Sequence, residues 1–432
     1  MADVAGQAIV RGAATFCLVL LILAAPPRML AGHRAALILL LSMGVWISLQ
    51  LIPLPPSIWL NLPGRAAYGA AATIMGEPQP WRPLALVPSG AANALASLLV
   101  PATMVALLMS LNERERAQLP TWILIFIAVS AMVGLVQTTS VTCDNPLIND
   151  GPGEVSGNFA NRNHFALLMS LGCVLAPVWA AQQPRRPGLG WRTTLALGLI
   201  MLFILLILIS GSRAGLFLGA LGATAGGAIV FPQIRSTFRA YPRWVLPMLL
   251  VAVLMIVAGL IALSLNADRA FGIDRALAEN ATKDLRLRAM PAIIAMARQY
   301  FPVGIGAGAF DPIFRVHEPF NLLQQAYLNH AHNDFLEIVL EHGIVGAIML
   351  VAGAAWWLVI TVRAWRQVGP AALLARGASA MLVLIGLASS VDYPARTPII
   401  MALLVVIAGW AAVRNPIGRD QLPPAHSGAD RP

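Results

Sequence analysis

Four stretches of this 432-residue chain interrupt long apolar sequence with residue types that can do chemistry. They read CDNPLINDGPGEVSGNFANRNH over 143–164, SGSRAG over 210–215, DLRLRAMP and then PVGIGAG between 284 and 308, and SVDYPAR over 390–396. His330-Ala331-His332-Asn333 adds a fifth, with Asp334 and Glu337 close behind. Imidazoles beside arginines and carboxylates suit proton transfer, because the ordinary histidine pKa lies near working pH. An HxH pair also invites a metal, but ligands one residue apart on an entering helix point apart, and no third ligand is evident. His332 begins an apolar helical segment and is fixed by its packing, whereas His330 lies further out, where the loop is expected to be more mobile.

Arg213 stands among Gly211, Ser212 and Gly215 at the start of a helix, whose dipole adds positive potential. A guanidinium there suits a bound phosphate, and equally one that snorkels to headgroup phosphates. Arg286 and Arg288 are two residues apart, so on a helix they face different ways and only one is expected to reach a given site. A solvated helix face or a pair with Asp284 would account for either. The glycines at 304, 306 and 308 lack a P-loop lysine and a strand-to-helix setting, and read as a tight re-entry turn. Asn163, His164, His330, Asn333 and Asp392 are possible supporting groups in the same loops.

The elements that must position these residues are apolar helices. The chain is 58% hydrophobic and 11% charged, with a mean hydropathy of +0.74, too few charges to cover a soluble globule of this size. Runs long enough to cross a bilayer recur at 9–25, 35–53, 92–111, 121–140, 163–181, 193–210, 213–231, 244–264, 336–362, 371–390 and 397–413. The expected fold is all-α, a polytopic integral membrane protein of about 11–12 transmembrane helices. Three parts follow: N-terminal transmembrane helices over 1–140, a membrane domain over 141–415 holding one large, partly helical outward loop at 265–331, and a disordered tail over 416–432.

A net charge of +10 could suggest nucleic acid, but the arginines sit in short loops between spans rather than on one basic face. They read as topology determinants, placing the loops near 26–34, 112–119, 182–192, 232–243 and 363–376 in the cytoplasm. The alternate loops, which carry the chemistry-bearing stretches, then face outward. Cys17, Cys143 and Cys173 have no ligand-like spacing, so neither a disulfide framework nor a zinc site is indicated. The first span reads as a retained helix rather than a cleaved signal peptide.

One string is more specific than any of these. His332-Asn333, nine residues, Gly343, two residues and Gly346 resembles the pattern shared by O-antigen ligases, related O-antigen and exopolysaccharide polymerases, and protein O-oligosaccharyltransferases. SGSRAG, Arg286 upstream of PVGIGAGAF, and GNFANRNHFA over 157–166 also look like features of that family. The resemblance covers the central and C-terminal two thirds of the chain. It implies a GT-C-like bacterial inner-membrane glycosyltransferase with its active site facing the periplasm. The donor would be an undecaprenyl-diphosphate-linked glycan, and the acceptor a hydroxyl of another glycan or of lipid A–core. Transfer would be inverting and metal-independent, with no cofactor. It implies His332 as general base and Arg213 with Arg286, or Arg288 in its place, as ligands of the diphosphate. In place of the aromatic that family members often carry just after the loop arginine, this chain has Met290 or Pro291.

The rival readings are a polysaccharide or lipid transporter and a non-catalytic component of a surface-glycan assembly system. A transporter calls for charges at mid-span and internal repeats, which the sequence does not display. An assembly component leaves Arg213 and His332 unexplained.

Overall fold

A computed structural model describes residues 4–24, 34–138, 154–182, 190–238, 285–323 and 328–413, with single residues at 242, 244 and 248. In chain order its helices are α1 (Val4–Ala24), α2 (Arg34–Gln50), α3 (Pro56–Trp59), α4 (Ala66–Met75), α5 (Pro88–Ser97), α6 (Leu99–Ser110), α7 (Glu113–Gln137) and α8 (Arg162–Ala181). They continue as α9 (Trp191–Ser210), α10 (Arg213–Phe238), α11 (Leu285–Tyr300), α12 (Phe310–His317), α13 (Asp334–Arg366), α14 (Pro370–Ser389) and α15 (Pro398–Ala412). Two-residue strands β1 (Pro53–Leu54) and β2 (Arg82–Pro83) pair antiparallel between α2 and α5. The protein is an all-α polytopic membrane protein: among the described residues, eight helices are long and apolar enough to cross a bilayer.

Ten of the eleven anticipated apolar runs are helical. Arg34–Gln50 and Pro398–Ala412 are shorter than the other spans, and the run at 244–264 falls almost wholly outside the described residues. So do Cys143, Asp284 and the tail from 414.

α8 is the centre of the bundle, packing against α7, α9, α10 and α14. Every residue from His164 to Ala176 is buried, because these four helices surround it on all sides. Its closest neighbour is α10, which presents Gly215, Gly219, Gly222 and Gly226 to Ala166, Ser170 and Cys173. A Cβ on Gly222 would stand 2.7 Å from the Ser170 carbonyl, and one on Gly226 2.7 Å from that of Cys173. Small residues at helical spacing let two backbones approach where no hydrophobic drive separates helix from lipid.

Several helix ends are set by local chemistry. The Asn112 side chain accepts from Glu115 N at 2.9 Å while Glu115 Oε2 accepts from Asn112 N at 2.8 Å, a capping box that starts α7. Gly211 ends α9 in the left-handed conformation, and α10 begins two residues later. Asn161 and Asn333 cap α8 and α13.

The ends of α2, α7, α9 and α14 and the starts of α5, α8, α10, α13 and α15 gather at one end of the bundle. Gln137 at the end of α7 accepts from the N–H groups of Ser156 and Gly157, just before α8. Gln50 at the end of α2 accepts from Ala307 N and meets His342 of α13. The turn at 302–308 tucks into this end, with Ile305 N donating to Leu340 O, Gly306 N to Glu341 O, and Leu86 N to Ile305 O, each at 2.9 Å. PVGIGAG is therefore a re-entry turn clamped between α13 and the segment before α5.

Candidate functional site

Asp392 is the meeting point of this end. It lies two residues beyond the C-cap of α14 and is 2% exposed. Its Oδ2 accepts from Asn161 Nδ2 at 3.1 Å and Asn163 Nδ2 at 2.7 Å, and Arg286 Nη1 stands 3.9 Å from the same atom. Its Oδ1 accepts the Tyr393 N–H at 3.0 Å, while His164 Nε2 is 3.7 Å away, beyond hydrogen-bond reach. Burial pushes this carboxyl up, but the His164 imidazole, Arg286 and His332 outweigh it and hold Asp392 well below the usual carboxylate range. Ser212 Oγ donates to Asn163 Oδ1 at 2.7 Å, which ties the α9–α10 turn to the same group. Arg213, the next residue, is exposed at the start of α10.

Tyr393 organises the histidines. Its ring centroid is 4.2 Å from that of His330, 5.1 Å from His332 and 5.2 Å from His164. His332 is the one non-glycine residue among those described with a positive φ, at 51°. A histidine there carries backbone strain that the surroundings must over-determine. Its Nδ1–H donates to the His330 carbonyl at 2.9 Å, so in the neutral ring Nε2 carries the lone pair. Burial first, and Arg286 second, lower its pKa to about 4. The imidazole is thus held neutral well below working pH, rather than poised near it as its type alone suggests.

The rest of the four-position motif shapes the entry of α13. Asn333 Oδ1 accepts from Leu336 N at 3.0 Å and its Nδ2 donates to Ser390 O at 3.0 Å, so one side chain caps the helix and binds the 390–396 turn. Gly343 breaks α13 with φ 59° and ψ −138°, and a Cβ there would overlap the Pro302 carbonyl. Only glycine tolerates that conformation so close to a neighbouring backbone.

His330 is not a loose loop residue. Its Nδ1–H donates to Glu337 Oε1 at 2.8 Å, and Glu337 is fully buried. The two arginines of α11 separate as their spacing requires. Arg286 turns to Asp392, while Arg288 Nη2 donates to Asn321 O at 2.9 Å and lines a cleft of about 420 Å³ with Pro291, Ala292, Pro319 and Leu322.

Residue types alone did not single out two features. One is Tyr393. The other is an ion cluster: Arg396 Nε is 3.3 Å from Asp334 Oδ1, Nη1 is 3.2 Å from Glu337 Oε1, and Nη2 is 3.2 Å from Glu341 Oε2. Burial pulls Arg396 down, but these three carboxylates outweigh it and raise its pKa above the ordinary arginine value. The sequence signal was available. Asp334, Glu337 and Glu341 recur at i, i+3 and i+7, which puts three acids on one helix face.

The arrangement gathers a neutral imidazole acceptor, a guanidinium beside a fixed carboxylate, and a second guanidinium at a helix N-terminus. Such a set can take a proton and offset developing negative charge. No curated protein matches the chain. Residues 196–351 match the family described as O-antigen ligase, a narrower stretch than the motifs span. The match holds Arg213, Arg286 and His332, while Asn163, His164 and Asp392 join the site from outside it. The chain is therefore a multi-pass membrane protein whose residues 196–351 are similar to the O-antigen ligase family.

Proposed function

We propose that this protein transfers a glycan from undecaprenyl diphosphate to an acceptor hydroxyl at the periplasmic face of the bacterial inner membrane. The observation that carries the reading is the convergence on Asp392 and Tyr393 of Arg286, of Asn163 with His164, and of His332, from three separate segments. His332 Nε2 takes the proton of the acceptor hydroxyl, and the oxygen attacks the anomeric carbon from the face opposite the diphosphate. The bond from that carbon to the diphosphate oxygen breaks, leaving undecaprenyl diphosphate and an inverted glycosidic bond. Arg286 and Arg213 offset the charge that develops on the leaving group, the task a divalent ion performs in metal-dependent transferases. Asp392 holds the Arg286 guanidinium in place, and Arg288, turned to Asn321, stands aside.

Ligase and polymerase share this donor chemistry and differ in the acceptor, a lipid A–core hydroxyl or another lipid-linked glycan. A transporter is less well supported, since the charged groups of the site cluster at helix ends rather than at mid-span. The test is a deletion strain examined for lipid-linked intermediates and surface glycan. Accumulated lipid-linked glycan with the surface polymer unattached or short supports transfer. Normal attachment and chain length would overturn it.

A further inference from the structure

The peptide unit between His330 and Ala331 is bonded at both polar ends. Its N–H donates to Glu337 Oε2 at 2.7 Å, and its C=O accepts from His332 Nδ1 at 2.9 Å. The other oxygen of Glu337 takes the His330 Nδ1–H at 2.8 Å and stands 3.2 Å from Arg396 Nη1. Glu337 is 0% exposed and sits one turn inside α13, whose start is fixed by the Asn333 cap. The Glu337 carboxylate and the His332 ring therefore grip the same peptide plane from its two polar ends.

We propose that Glu337 is a positioning residue for His332, acting through the 330–331 peptide to hold the ring with Nδ1 protonated and Nε2 as the acceptor. This rests on the reading of His332 as the base. A carboxylate on the N–H of a peptide polarises that peptide, and its carbonyl becomes the stronger acceptor for the imidazole on the far side. The partner of one ring nitrogen decides which nitrogen carries the proton. Here the orienting carboxylate reaches the imidazole with a peptide interposed, and it also pins the backbone that forces His332 to φ 51°. The competing account makes Glu337 a counter-ion for Arg396. Arg396 also holds Asp334 and Glu341, so Glu337→Gln leaves it two carboxylates.

The experiment is a double-mutant cycle on the full-length protein in nanodiscs. The donor is lipid-linked glycan extracted from source cells lacking the protein, and the acceptor is their washed envelopes. Glu337→Gln should lower the transfer rate at saturating donor by roughly 10–100-fold with KM little changed. In a His332→Ala background the same change should cost nothing further, because the residue through which it acts is gone. Nitrogen NMR of labelled histidine provides a readout independent of turnover. The Nδ1–H tautomer of His332 should persist in wild type and in Glu341→Gln, and be lost or mixed in Glu337→Gln. Equal losses in both backgrounds, or an unchanged tautomer in folded Glu337→Gln, would overturn the positioning role. Full activity in His332→Ala would instead remove the base itself, a distinct result.

Discussion

At the scale of single residues, the chemistry is set by what surrounds each group rather than by its type. His332 is an ordinary histidine in an unusual place: strained, largely enclosed, and facing Arg286 across the Asp392 site. Its depressed pKa means the protonated, inactive form appears only as pH falls through about 4. For the free enzyme, kcat/KM should therefore stay level from neutral pH to about pH 5 and decline below it. An acid limb near pH 6.5, the ordinary histidine value, would show that His332 is not so enclosed. His332→Ala should cost roughly two to four orders of magnitude in transfer while donor binding, measured separately with undecaprenyl diphosphate, survives. The paired arginines give a second test. Arg286→Lys keeps the charge but loses the planar fork, and should impair transfer at least tenfold. Arg288→Lys, on a side chain turned to Asn321, should stay within about threefold, and the reverse order would exchange their roles.

At the scale of elements, the sequence was most readable where local rules act alone. The membrane-length apolar runs and the re-entry reading of PVGIGAG depend on neighbours in the chain. The i, i+2 spacing of Arg286 and Arg288 required them to diverge but could not say which turns to Asp392, because that depends on where α14 ends. Tyr393 was hidden for the same reason, since an aromatic between two turn residues acquires meaning only when three imidazoles surround it. The Arg396 cluster is a tertiary pairing between α13 and the 394–396 turn. Arg396→Gln leaves three carboxylates buried together and should lower stability by about 3–5 kcal/mol, read from thermal unfolding in detergent. A melting temperature equal to wild type would mean that the cluster is hydrated and cheap. Gly343→Ala should also be poorly tolerated, since a Cβ there meets the Pro302 carbonyl at a positive φ.

At the scale of the whole molecule, the bundle separates two kinds of end. The helix termini near Gln50, Gln137, Ser210, Asp334 and Ser389 share the site, while Arg114 and Arg116 at the start of α7 and Arg376 early in α14 mark the opposite termini. The proposed outward placement of the site end rests on the arginine asymmetry. Truncation fusions after Phe320 should be active only with an outer-side reporter, and fusions after Ser236 only with a cytoplasmic one. Reporters agreeing on one side for both would reverse or discard that assignment. Asp392 also gives the protein a clock. Its carboxylate draws Asn163 and Arg286 together, yet it is synthesised after both of them. Asn163 and Arg286 can enter the membrane early, but their contacts with Asp392 wait until the 390–396 turn arrives. A nascent chain therefore lacks these Asp392 contacts while its earlier helices are still being inserted.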